Sequence, residues 1–134
     1  MGEVVLVDSS VWIDYFNGVQ SNKTNILDDL LCKQLVITGD IILTKILQGF
    51  IAESDFKNAK RILNPLDCMQ LGGKSLAIKV ASNFRFLRSR GITIRKTVDM
   101  LIGSWCIKHE IELLHKDRDF DQIATHLPLK ICAG

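Results

Sequence analysis

The sequence predicts an α/β domain with a central parallel sheet. Two short apolar runs, "EVVLVD" at residues 3–8 and "IELLHKD" at 111–117, end in acids, as buried strands do when they deliver side chains to a sheet edge. Segments with helical spacing separate them, and "LVIT" (35–38) and "LDCMQL" (66–71) offer further strands. Strands that alternate with helices pair in parallel through crossovers.

Each element has a local reason. Ser9 or Ser10 is placed to cap a first helix, which Asn17-Gly18 ends. A second helix spans residues 23–34. Asp40 is placed to cap a third, which runs to about residue 52 and contains "ILTKILQGF". Its apolar residues fall on most faces, so protein should cover most of it. Ser54 is placed to cap a fourth helix that stops before Pro65. Gly72-Gly73 breaks the chain ahead of a long amphipathic helix, 74–90, which Gly91 ends. After "ITIRK", a helix covers 97–110 and a short one 118–127, and "LKICA" (129–133) closes as a strand. There is no repeat, low-complexity run or long linker, so residues 1–134 read as a single domain.

Composition excludes several classes. At 47% hydrophobic and 24% charged residues the chain is an ordinary globular mixture. No stretch approaches the roughly 20 apolar residues of a membrane span. The opening "MGEVVLVDSS" lacks the basic region of a secretory leader, so a cytoplasmic protein is expected. Cys32, Cys68, Cys106 and Cys132 have neither zinc nor disulfide-framework spacing, and should be reduced, mostly buried thiols. His109, His115 and His126 form no H-E-x-x-H pattern, and neither glycine-rich nucleotide motif occurs. The net charge of +2 is unevenly spread: residues 68–98 hold seven bases and no acid, against ten bases and 15 acids elsewhere. Such a segment suits an anionic partner, or a solvated helix face.

The chemistry lies in the carboxylates. Open parallel sheets bind ligands at the carboxyl ends of their strands. Asp8 and Asp117 both sit there, although Asp8 would serve equally as a helix cap. Asp99 falls in the first turn of a helix, where an acid suits the dipole, and Gly103 one turn later permits close approach. "DRDFD" adds Asp119, as ligand or cap, and Asp121, whose plain reading is surface exposure, as for Asp14, Asp28 and Asp29. The spacing begins like a calcium loop, but Gln122 and Pro128 occupy positions that such a loop gives to Gly and Glu. Converging carboxylates repel one another and persist with a proton or a cation. Oxygen ligands favour Mg²⁺ or Mn²⁺, which activate water for attack on a phosphodiester. A receiver-like phosphorylation domain also gathers aspartates at strand ends, but Lys45, placed mid-helix, does not supply its strand-end lysine.

The stretches "VLVDSSVWIDYF", "ILTKILQGF" and "RGITIRKTVDMLIGSWCIKHEIELLHKDRDFDQIA" resemble, in order and spacing, the PIN-domain ribonucleases, and among them the VapC toxins of toxin–antitoxin pairs. The resemblance spans nearly the whole chain. It implies a three-layer α/β/α fold and a Mg²⁺- or Mn²⁺-dependent endoribonuclease acting on tRNA or rRNA. It also implies a homodimer, a VapB-type antitoxin partner, and contact with operator DNA only through that antitoxin. On this likeness Asp8, Asp99 and Asp117 are catalytic metal ligands, with Asp119 as companion. Ser9 or Ser10 and Thr97 position ligands or substrate, though Ser9 and Thr97 would equally serve as helix caps. Arg88, Arg90, Arg95 and Lys96 are the candidates for the RNA backbone.

Lys45 departs from the pattern, since the motif resembles "LTEILQGF" with a glutamate at that position. A lysine there removes one carboxylate and adds a cation. The direct expectation is an ammonium paired with Asp8 and Asp99 that competes with metal and impairs cleavage. The alternatives are a side chain that reaches out to water, or one that steadies a phosphate.

Overall fold

The computed structural model describes residues 3–133; Met1, Gly2 and Gly134, within the single-domain and opening-segment expectations, lie outside the described residues. Four short strands form: β1 (Val5–Val7), β2 (Val36–Gly39), β3 (Asp67–Met69) and β4 (Glu112–Leu114). They pair in parallel in the order β3-β2-β1-β4. The helices are α1 (Ser9–Phe16), α2 (Asn22–Cys32), α3 (Asp40–Leu47), α4 (Glu53–Leu63), α5 (Lys74–Ser89), α6 (Thr97–His109) and α7 (Arg118–His126). None is long and apolar enough to cross a membrane.

Topology follows from handedness. The chain steps from β1 to β2 to β3 in one direction, then returns across the sheet to β4. Right-handed crossovers therefore place α1–α4 on one face and α5–α7 on the other. The packing agrees: α1 lies on α2 and α3, and α6 lies on α5 and α7. The result is the expected three-layer α/β/α fold. Leu6, Trp12, Leu113 and Phe120 are fully buried in its core. β1 and β4 are neighbours whose chains leave toward opposite faces, so a crevice opens at their carboxyl ends. The Asp8 N–H donates to the Leu114 carbonyl across that crevice, 2.9 Å away.

Several local expectations are corrected. Asp8, not Ser9 or Ser10, caps α1 by accepting from the Ser10 N–H. A capping box of Ser21 and Thr24 starts α2. Asp40 is the first residue of α3 rather than its cap, and its Oδ1 accepts from Ile41 and Leu71 N–H groups. α4 begins at Glu53 with no side-chain cap from Ser54; Glu53 and Asp55 instead complement its dipole. α3 stops at Leu47, not near residue 52, and Ile51 beyond it is fully exposed. Only Ile42 and Ile46 of α3 are buried, so that helix is half-covered rather than enclosed. The terminal segment makes a single bridge, Ile131 to Leu113, instead of a strand. No disulfide joins the cysteines, and Cys32 and Cys68 are exposed where buried thiols were expected.

Gly39 ends β2 under a tight constraint. A Cβ there would lie 2.3 Å from Cδ1 of Leu71, which is itself buried. Gly39→Ala is expected to lower stability by about 1–3 kcal/mol through overpacking. Urea unfolding checks this; an unchanged midpoint would show that Leu71 moves aside at no cost.

Candidate active site

Three elements bring carboxylates to the crevice. Asp8 ends β1 and is buried, with Oδ2 accepting both the Ser10 N–H (3.1 Å) and the Ser10 hydroxyl (2.6 Å). Asp117 follows β4 and caps α7, accepting the Asp119 N–H at 3.0 Å. Asp99 enters from the opposite layer, in the first turn of α6, and is 1% exposed. Gly103 allows α6 to settle on α7: a Cβ there would meet Ile123 Cδ1 at 3.3 Å.

Oxygens of Asp99, Asp117 and Asp119 lie within 4.8 Å of one another. Asp8 stands outside that set but close enough for its charge to act on Asp99. Buried oxygens Asp8 Oδ1 and Asp99 Oδ2 have no hydrogen-bond partner. An all-oxygen cluster with orphaned buried acceptors is the donor set that suits a hard divalent cation.

Electrostatics separates the acids. Burial, then the charges of Asp8 and Asp117, push Asp99 up to about 6, against the pull of Lys45 and Lys96. Asp117 moves the other way. Burial raises it, but the Asp119 N–H and the Lys96 ammonium outweigh burial and hold it below the usual carboxylate range. Lys96 Nζ sits 3.0 Å from Asp117 Oδ2.

The remaining candidates divide. Ser10 is bound to the site, and its Oγ also accepts the Lys116 N–H at 3.4 Å. Ser9 is buried beside it. Thr97 opens α6 after Lys96, with no side-chain cap at that end, and lines a shallow groove with Phe84 and Arg85 of α5. Arg88 and Arg90 lie over the rings of Phe84 and Phe86, at 5.4 and 5.1 Å, and Arg95 is exposed. Lys45 is half-buried in the last turn of α3. Among the described residues it forms no ion pair within 4.0 Å, so the expected contact pair with Asp8 and Asp99 is absent; its charge reaches Asp99 across a gap.

Two supports were not apparent in the sequence. His115 is buried, and its Nδ1 accepts the Asp117 N–H at 3.0 Å, which fixes the proton on Nε2. Nε2 lies 3.3 Å from Asp121 Oδ1, outside hydrogen-bonding alignment, and burial lowers the imidazole pKa despite that acid. Asp14, expected on the open surface, pairs instead with Lys116. This ties α1 to the loop that carries Asp117.

Asp99 sets a pH dependence. Between about 4, the value for an unfolded aspartate, and about 6, the folded chain keeps a proton that the unfolded chain has released. Stability therefore falls as pH rises through that window and levels off above it. Asp99→Asn is expected to flatten this slope and to gain about 1–3 kcal/mol in metal-free buffer near neutral pH. Urea unfolding at pH 5 and pH 7.5 reads both; parallel slopes for the two chains would refute the buried, repelled carboxylate.

The chain and its fold are similar to those of known proteins. The PIN domain family model matches residues 5–125. The VapC ribonuclease Mb1587 of Mycobacterium bovis is 28% identical over 123 residues, covering 90% of this chain and 92% of that protein. Ribonuclease VapC11 of Mycobacterium tuberculosis matches with the same figures. Among solved structures, VapBC2 of Rickettsia felis bound to a promoter DNA fragment superposes with a TM-score of 0.72 at 16% identity, over 96% of both chains. VapC20 of Mycobacterium tuberculosis, a sarcin–ricin loop cleaving toxin, gives 0.65 at 16% identity, over 92% of this chain and 95% of that one. FitAcB of Neisseria gonorrhoeae gives 0.72 at 12% identity, over 96% of both. With the family model matching almost all of the fold and the acid crevice in place, the chain belongs to the PIN domain family.

Proposed function

We propose that this chain, read as one PIN domain over residues 1–134, is the toxin of a toxin–antitoxin pair. Its activity is that of a metal-dependent endoribonuclease acting on tRNA or rRNA in the cytoplasm. The observation that carries the reading is the grouping of Asp99, Asp117 and Asp119 at the strand ends, beside orphaned oxygens of Asp8 and Asp99. The relatives named VapC ribonucleases point the same way. Mg²⁺ or Mn²⁺ held by Asp99, Asp117 and Asp119, with Asp8 behind them, would supply Lewis acidity and a nucleophilic water. Ser10 and the Asp119 N–H orient the carboxylates. Arg88, Arg90, Arg95 and Lys96 offer positive charge to the RNA backbone.

The expected partners are a VapB-type antitoxin, operator DNA reached through it, and a second copy of the chain. VapBC2 was solved as a complex on promoter DNA, which supports the antitoxin partner. Ile78 and Phe86 on α5 are exposed apolar residues suited to a homodimer face.

Lys45 impairs this activity. It stands where the motif has an acid and sets a positive charge against the metal site. Its place in the last turn of α3 is favourable to the helix dipole, whereas a glutamate there is not. Lys45→Glu is thus expected to raise Mn²⁺-dependent RNA cleavage at least about tenfold, while lowering stability by about 0.3–1 kcal/mol. Cleavage of total tRNA and rRNA by both chains is the measurement. Equal rates sink the impairment. The second reading, a silent module that binds antitoxin or RNA, rests on Lys96 at the cluster and the charge of Lys45 acting on it across a gap; it wins if neither chain cuts RNA yet both bind the antitoxin.

A further inference from the structure

Neither helix capping nor packing accounts for the position of the Lys96 side chain. Lys96 is the N-cap residue of α6, where a cation opposes the helix dipole, and its side chain makes no cap bond. Its side chain is 62% exposed, so packing does not hold it. What holds it is Asp117 Oδ2 at 3.0 Å, an oxygen of the same cluster that suits a divalent cation. Asp117, Asp99 and Asp119 all act on the Lys96 charge. Its ammonium therefore stands in for a cation at the rim of the carboxylate set.

We propose that Lys96 is a displaceable counter-cation: it occupies Asp117 in the metal-free protein, leaves when a divalent ion binds, and then takes an RNA phosphate. This rests on the ribonuclease reading above and adds an alternation to it. An exposed lysine pair is weak, and a compact ammonium on a flexible stem changes partner without moving the backbone. A divalent ion at Asp117 withdraws the oxygen that Lys96 uses and repels the ammonium outward. Lys96 then opposes metal binding and favours RNA binding, a sign reversal that a structural residue does not show.

The test uses the full chain carrying Lys45→Glu, alone and combined with Lys96→Gln or Lys96→Arg, with folding confirmed by circular dichroism. Mn²⁺ binding is read by electron paramagnetic resonance. RNA binding is read by anisotropy of a labelled oligouridylate, with Ca²⁺ replacing the catalytic ion. Lys96→Gln is expected to tighten Mn²⁺ binding at least about threefold and to weaken RNA binding, with the salt slope reduced by about one. Lys96→Arg should restore both values toward those of Lys96. Unchanged or weaker Mn²⁺ binding in Lys96→Gln, or unchanged RNA binding, overturns the alternation and leaves the ribonuclease reading standing. Absence of Mn²⁺ binding in the Lys45→Glu chain itself overturns both.

Discussion

Asp99 is a carboxylate almost wholly out of water, with Asp8 and Asp117 charges directed at it. That repulsion is the constraint to which the surroundings respond. Ser10 satisfies one oxygen of Asp8, and the Asp119 N–H satisfies one of Asp117. The Asp117 N–H is in turn fixed by the neutral ring of His115. Asp14 and Lys116 close the loop from the other side. These contacts orient the acids without removing their charge. The residual charge falls to Lys96, to Lys45 at longer range, and to a proton on Asp99 near its pKa of about 6. A fold stabilised by interior packing at Leu6, Trp12, Leu113 and Phe120 tolerates such a cluster because the core does not depend on it.

The parallel sheet was legible in the sequence because β1, β2 and β4 lie in apolar runs that end at an acid or a glycine; β3 is a short exposed edge. Asp8 and Asp117 could be placed at strand ends for the same reason. Gly103 beside Asp99 signalled close approach, and the approach is to Ile123 of α7. The caps were less legible. At both Asp8 and Asp117 the acid caps a helix while standing at the strand end beside the crevice, so a capping role and a place at the crevice are not alternatives.

What escaped the sequence is long-range. Lys116 meets Asp14 and Ser10 across about a hundred residues of chain, and no local pattern encodes such a meeting. Asp119 looked secondary to Asp8 because it lies past the strand end, yet the α7 turn folds it back beside Asp117 and Asp99. The basic segment shows local contacts that its charge count does not encode. Arg88, Arg90 and Lys96 are exposed, but Lys96 is paired with Asp117, and Arg88 and Arg90 lie over phenylalanine rings. Net charge describes a surface field, not where one ammonium settles.

The two lysines act on the cluster in different ways. Lys96 touches Asp117, but its side chain is exposed, so water and salt screen the contact and it is readily exchanged. Among the described residues Lys45 forms no ion pair, yet it is half-buried on a helix that packs on the sheet, and a charge there is screened less. Contact distance therefore misorders them. Lys45, which makes no contact pair, still acts on Asp99 ahead of Lys96. An unpaired lysine in the last turn of α3 is also cheap to keep, because the helix dipole favours it. A lysine at this position thus costs the fold little, and stability alone gives no pressure against it.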